Sequence, residues 1–165
     1  MEQVAPHPGA SSPSVSERMS AARRRDTKPE LDVRRILHAR GLRYRVNYPV
    51  PGLPRRTIDI AFTRSRIAIF LDGCFWHGCP EHGTQPRANS DWWLTKLRRN
   101  VVRDTDTNHV LESAGWRVLR YWEHEEAWVI ADEINAVVRG LDRPAEEIGV
   151  GHDVPSHHRP RTQIP

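Results

Sequence analysis

Two short apolar runs, Ile67-Ala-Ile-Phe-Leu71 and Trp116-Arg-Val-Leu-Arg-Tyr-Trp122, are separated by one long stretch of helical spacing, and this arrangement constrains the fold more than any other feature. From about Ser90 to Ser113, Trp93, Leu97 and Val101 recur at i, i+4 and i+8, with Gly115 standing past the end. A strand–helix–strand unit of this kind makes two parallel strands, expected as neighbours in one sheet with their C-terminal ends at the same edge. The loop that leaves the first strand, Asp72 to His82, is therefore expected beside Glu123 and His124, which leave the second.

The remaining elements are punctuated by their own signals. Thr27-Lys-Pro-Glu30 has the form of a capping box with proline in the first turn, so a helix starts there and ends at Gly41, with Val33, Ile36 and Leu37 as its apolar stripe. Leu42 to Tyr48 alternates as a half-buried strand, Pro49 to Pro54 reads as a turn, and Thr57 to Phe62 is the next strand. A last helix, about Glu125 to Arg139, is expected to bury Ala127, Ile130, Ile134 and Val137. The predicted order is αβββαβα, a single mixed α/β domain over residues 17–140. Residues 1–16 and 141–165, rich in Pro and small polar residues, read as disordered tails.

Composition narrows the function classes. The 165 residues have a formal net charge of +4, but Arg18 to Arg66 holds 14 basic and four acidic residues, whereas Asp104 to Asp153 holds four basic and 12 acidic. A strongly basic half suggests a polyanionic partner, most plausibly nucleic acid. No apolar run approaches the ~20 residues that span a bilayer, and the N-terminal stretch lacks a signal-peptide pattern. Two cysteines five positions apart cannot staple a secreted scaffold, so a reduced, cytoplasmic setting is expected.

Chemistry concentrates in a few places. Asp59 stands between Ile58 and Ile60 in mid-strand, where Asp is disfavoured. It is either part of an exposed face shared with Thr57 and Ala61 or a carboxylate for Mg²⁺, and Asp72 at the next strand end favours the metal. Cys74-Phe-Trp-His-Gly-Cys-Pro-Glu-His82 packs two thiols and two imidazoles into nine residues. The preferred Zn²⁺ set is Cys74, Cys79, His82 and His124, with His77 left over; buried structural cysteines beside surface histidines are the plainer alternative. Glu30 is either a capping residue or a carboxylate angled towards the sheet. Phe75 and Trp76, adjacent in a glycine-flanked loop, cannot both be buried on one side. They suit base stacking, while Trp93 fits its helix stripe.

Together, LPRRTIDIAF, DGCFWHGCPEH, NSDWWLTKLRRNVVRD and GWRVLRYWEHE resemble the very-short-patch repair (Vsr) mismatch endonucleases over about residues 18–140. The resemblance implies the fold of PD-(D/E)xK restriction-type nucleases. It also implies a Mg²⁺-dependent endonuclease that nicks duplex DNA 5′ of the thymine in T:G mismatches left by 5-methylcytosine deamination. In that reading Asp59 and the backbone carbonyl of Leu71 face Mg²⁺, His77 handles the proton, and Glu30 orients His77 or the attacking water. Phe75, Trp76 and Trp93 wedge into the duplex, and Cys74, Cys79, His82 and His124 bind structural Zn²⁺. A monomer and functional coupling to a DNA cytosine methyltransferase are also implied.

Two departures stand out. The lysine of general PD-(D/E)xK enzymes is replaced by Cys74, which the use of His77 resolves. The enteric pattern has His where this chain has Asp72, so Asp72 is expected to add a carboxylate to the catalytic metal site. Two rivals remain: a sequence-specific nickase working with a restriction system, and a zinc-stabilised DNA-binding module without catalysis.

Overall fold

The computed structural model describes residues 26–83 and 89–141. The expected tails and the domain boundary at residue 17 lie outside these, apart from Leu141, which ends the last helix. Helix α1 (Lys28–Ala39) is followed by β1 (Arg45–Val50), β2 (Leu53–Phe62) and β3 (Ile67–Asp72), then α2 (Ser90–Ser113), β4 (Arg117–Trp122) and α3 (Ala127–Leu141). The described residues are mixed α/β, with one four-stranded sheet in the order β1-β2-β3-β4. Among the described residues no helix is long and apolar enough to cross a membrane.

Strands β1, β2 and β3 form an antiparallel meander. β3 and β4 are parallel neighbours in register from Ile67↔Arg117 to Asp72↔Trp122, as the strand–helix–strand pattern requires. The β1–β2 hairpin differs from the expected Pro49–Pro54 turn: both strands run on until only Pro51 and Gly52 lie between them. Pro49 is accommodated because β1 is an edge strand, where a missing N–H need not interrupt a ladder. Leu42, expected in the first strand, instead closes α1: its N–H donates to Leu37 O (3.1 Å) across Gly41, whose φ of +79° only glycine adopts freely.

Two cores cover the two faces of the sheet. On one face, Ile60, Phe62, Ile67, Ile69, Leu119 and Tyr121 meet Val33 and Leu37 of α1 and Ile130, Ala131, Ile134 and Val138 of α3. On the other, Ile58, Ala61, Ala68 and Phe70 meet Leu111 of α2 and Trp116. Val138, rather than the expected Val137, is the buried last-turn residue of α3, because it follows Ile130 and Ile134 at i+4 spacing. At about 25 cal/mol per Å² of apolar surface, each fully buried Ile or Leu contributes roughly 2 kcal/mol before entropy is counted.

The alternation of β2 breaks at one position. Ile58 packs on the α2 side and Ile60 on the α1/α3 side, although they are two residues apart. The residue between them is Asp59. Across the ladder Val46 pairs with Ile60 and Tyr48 with Ile58, and the intervening Asn47 takes a left-handed φ of +49°. The expectation that Thr57, Asp59 and Ala61 share a face therefore fails, because the pleat slips where the carboxylate sits.

Candidate active site

The site lies at the end of β3, where the sheet, the start of α1 and the buried side of α2 converge. Asp59 of β2 is half-buried there. The β2–β3 ladder pairs Ile60, Ala61 and Phe62 with Ile69, Ala68 and Ile67. Beyond these pairs the Leu71 N–H donates to Asp59 Oδ2 (2.9 Å), so the side chain takes up a strand-end donor. Burial, more than any other influence, raises the Asp59 carboxyl to about 7. The Leu71 N–H opposes this, while Glu30 on one side and Asp72 on the other add like-charge repulsion. Three carboxylates around a strand end favour a cation, and Asp59 with the adjacent Leu71 backbone suits the hard-oxygen chemistry of Mg²⁺.

Glu30 is only 5% exposed, and its carboxylate is well occupied. Oε1 accepts from Thr27 Oγ1 (3.1 Å), and Oε2 accepts from the Asp26 N–H (3.0 Å) and Arg34 Nη2 (3.0 Å). The capping box is thus rearranged: Thr27 makes no side-chain bond to the helix backbone and gives its hydroxyl to the glutamate instead. These bonds anchor Glu30 at the helix start, while its charge still reaches Asp59.

The groups at His77 are different ones. His77 Nδ1 lies 2.7 Å from Asp104 Oδ2 and 3.5 Å from Asp72 Oδ1. Asp104, on α2, went unassigned in the sequence. A signal was available, since it stands seven residues after Leu97 and seven before Leu111, on the buried stripe, where an unpaired charge would be costly. Asp72, whose charge reaches Asp59, is the second carboxylate at His77. With His77 and Asp104 it forms a cluster that could hold a metal ion, and both of its oxygens accept from Arg120 Nη1 (2.7 and 2.9 Å). The pairing follows from register, because Asp72 and Arg120 point from adjacent parallel strands to the α2 side of the sheet.

The second cluster is built by the same convergence. The Sγ atoms of Cys74 and Cys79 and ring nitrogens of His82 and His124 lie within 4.8 Å of one another. His124 Nδ1 is 3.1 Å from Cys74 Sγ and 3.8 Å from Cys79 Sγ, and the rings of His82 and His124 are 4.4 Å apart. The loop is wound by Cys79 N–H to Cys74 O (3.0 Å) and tied to β4 by Cys74 N–H to Glu123 Oε1 (2.7 Å). Both thiols are buried, and burial, with Cys79 beside it, pushes the Cys74 thiol up to about 12. Two buried thiols and two imidazoles converging on one point fit tetrahedral Zn²⁺.

The aromatic residues form one cluster rather than separate features. Phe75 packs edge-on against Trp76 (5.0 Å) and Trp93 (5.4 Å), and Trp92 against Trp93 (4.9 Å). All four rings are half-buried, so Phe75 and Trp76 partly shield each other instead of standing fully exposed. Lys96, one of two lysines in the chain, holds its Nζ 4.8–5.2 Å from the ring centroids of Trp76, Trp92 and Trp93. Asn100 donates to Trp76 O (3.1 Å). A cation and four rings on α2 and on the loop that carries His77 can engage phosphates and unstacked bases together.

Comparison with known proteins points to one family. Residues 12–82 match the family model described as DNA mismatch endonuclease Vsr. The chain is 45% identical over 139 residues to the type II nicking enzyme V.NaeI of Lentzea aerocolonigenes, covering 80% of this chain and 83% of that one. It is 40% identical over 106 residues to the type II nicking enzyme V.HpaIIP of Haemophilus parainfluenzae, covering 62% and 72%. It is 36% identical over 113 residues to the DNA mismatch endonuclease Vsr of Escherichia coli K12, covering 66% and 68%.

Proposed function

Since the chain belongs to the Vsr family of endonucleases, we propose that it nicks one strand of duplex DNA at T:G mismatches, on the 5′ side of the thymine. The observation that carries this reading is the half-buried Asp59 carboxylate that accepts from the Leu71 N–H at the end of β3, with His77 bonded to Asp104 and a half-buried aromatic cluster on the loop that follows that strand and on α2. Mg²⁺ held by Asp59 and the Leu71 carbonyl would polarise the scissile phosphate and acidify the attacking water. His77, bonded through Nδ1 to Asp104, presents Nε2 to take or return the proton. Asp104 orients His77, and Glu30, whose charge reaches Asp59, orients the attacking water.

Phe75, Trp76 and Trp93 wedge into the stack, and a weakly paired mismatch opens at lower cost than a matched pair. The basic Arg18–Arg66 region holds the phosphates, so binding is steeply salt-dependent. Cys74, Cys79, His82 and His124 hold a structural Zn²⁺ that fixes the loop carrying Phe75, Trp76 and His77. A monomer, with a DNA cytosine methyltransferase generating the lesion-prone base, completes the reading.

A second reading has its own support, because V.NaeI and V.HpaIIP are named type II nicking enzymes. This is a sequence-specific nickase tied to a restriction system, without mismatch dependence. One experiment separates the two: nicking of end-labelled duplexes carrying T:G, T:A or C:G in a panel of sequence contexts, in Mg²⁺, with Asp59→Ala as control. Nicking confined to T:G and absent in the variant supports repair. Mismatch-blind nicking that still needs Asp59 supports the restriction-linked enzyme. No cutting of any duplex sinks both and leaves the DNA-binding module.

A further inference from the structure

Arg120 of β4 is the hub of the buried polar side of α2. Its Nη1 donates to both oxygens of Asp72 (2.7 and 2.9 Å), and its Nε donates to Asn108 Oδ1 (2.9 Å). Nη2 stands 3.7 Å from Asp104 Oδ1, and the guanidinium lies 4.2 Å over the Phe70 ring. Only 13% of the Arg120 side chain is exposed, against 6% for Asp72 and 8% for Asp104. One fixed cation therefore sits between two buried carboxylates, and both carboxylates face the same nitrogen, His77 Nδ1.

That juxtaposition has a consequence for the imidazole. Two carboxylates converging on one ring nitrogen offer it two partners and repel each other. Arg120 removes the competition by tying both oxygens of Asp72 to itself, which leaves Asp104 as the short contact at 2.7 Å. Asp104 in turn is steadied by the same guanidinium, and Asn108, one helical turn on, keeps that guanidinium in plane. The ligand atoms of Asp72, His77 and Asp104 lie within 4.8 Å of one another, yet the guanidinium supplies the positive charge that a metal ion would bring there.

We propose that Arg120 is a positioning residue of this nuclease: by clamping Asp72 and steadying Asp104 it holds His77 in one orientation, Nδ1–H on Asp104 and Nε2 towards the reaction. This rests on the nuclease reading for its effect on rate, but the effect on His77 is separate from it. Arginine suits the position because its several donors in one rigid plane reach Asp72, Asn108 and the Asp104 side together, which an ammonium cannot do.

The test uses the full chain with Arg120→Gln, Arg120→Lys and the double variant Asp72→Asn/Arg120→Gln. Three quantities are read: the single-turnover nicking rate on the preferred duplex, the Kd for that duplex, and the ¹⁵N resonances of the His77 ring in the free protein. Arg120→Gln is expected to lower the rate by about 100-fold, in the range of lost acid–base catalysis, with Kd changed by less than about threefold. Its His77 resonances are expected to move from one Nδ1–H tautomer to an averaged mixture.

Arg120→Lys should fall between the two. The double variant should recover rate and tautomer relative to Arg120→Gln, since only one carboxylate then faces the ring. That recovery also answers the possibility that Arg120→Gln folds poorly. An unchanged His77 tautomer in Arg120→Gln, or a double variant worse than both single changes, overturns the proposal. A wild-type chain that cuts no duplex overturns the nuclease reading instead, and the His77 resonances alone then decide whether Arg120 positions the ring.

Discussion

Replacing Asp59 by Asn tests the electrostatics of the centre independently of cleavage. Asp59 titrates at about 7 rather than the ordinary 3.8, chiefly because it is buried. Between those values the native protein holds a proton that the unfolded chain has lost, so stability falls as pH rises from about 4 to about 7 and is level above that. At about 1.4 kcal/mol per pH unit, ionising the carboxyl in place costs about 4 kcal/mol. Asn carries no charge at any of these pH values, and its carbonyl oxygen can still accept from the Leu71 N–H. Relaxation around the charge and an imperfect partner for the new amide reduce the gain, leaving about 2–4 kcal/mol in favour of Asp59→Asn at pH 8.

For a chain of this size that corresponds to a Tm higher by about 6–12 °C. The assay is thermal unfolding by circular dichroism at pH 5 to 8, without added Mg²⁺ and without chelator. The gap between variant and wild type should be about a third of its full size at pH 5, widen up to about pH 7 and stay constant above it. Saturating Mg²⁺ at pH 8 should raise the wild-type Tm, by about 2.7 kcal/mol of stability at 100 times Kd, and leave the variant unmoved. Melting curves of the two proteins that run together from pH 5 to 8, or a variant less stable at pH 8, would refute the buried-carboxylate reasoning. Whatever the stability outcome, Asp59→Asn should not nick DNA.

Three further expectations address the other parts of the site. Metal analysis of the purified chain should find one Zn²⁺ per molecule, and Cys79→Ser should lower the Tm; protein free of zinc contradicts the Cys74–Cys79–His82–His124 assignment. Asp104→Asn should lower single-turnover nicking by about 10²–10⁴-fold with little change in DNA affinity, since it removes the partner of His77 Nδ1; a rate within a factor of a few of wild type excludes the dyad. Trp76→Ala should reduce discrimination between T:G and matched duplexes more than it reduces overall affinity, because stacking reads the distortion while arginines read the phosphates. Equal losses on both duplexes, measured by titration at fixed salt, would show that the ring has no part in discrimination.

Local physics is written along the chain, and the elements it governs could be read there. Period-2 and helical spacing located the strands and helices, and the strand–helix–strand order made β3 and β4 parallel neighbours. That adjacency in turn brought His124 to the cysteine loop and Glu123 to the Cys74 N–H. The loop itself announced its chemistry, because thiols, imidazoles and adjacent large rings are rare at such density.

What the sequence left open were the pairings that depend on how layers meet. The stripe through Leu97 and Leu111 marks Asp104 as inward-facing, but its partner, and that of Arg120 on β4, appear only when α2 is laid across β3 and β4. Asp104 and Arg120 then become buried partners of His77 and Asp72. Glu30 could be read as a cap or as a site carboxylate, and packing made it a buried charge held by Asp26, Thr27 and Arg34 within reach of Asp59. The slip of the pleat at Asp59 was invisible because the sequence from Thr57 to Phe62 reads as regular alternation and nothing in it marks a break. Asn47, between the paired Val46 and Tyr48, takes a left-handed conformation where the break falls. Residue type and spacing decide which groups can react, but burial and cross-layer contact decide which of them face one another, and these exist only once the layers are packed.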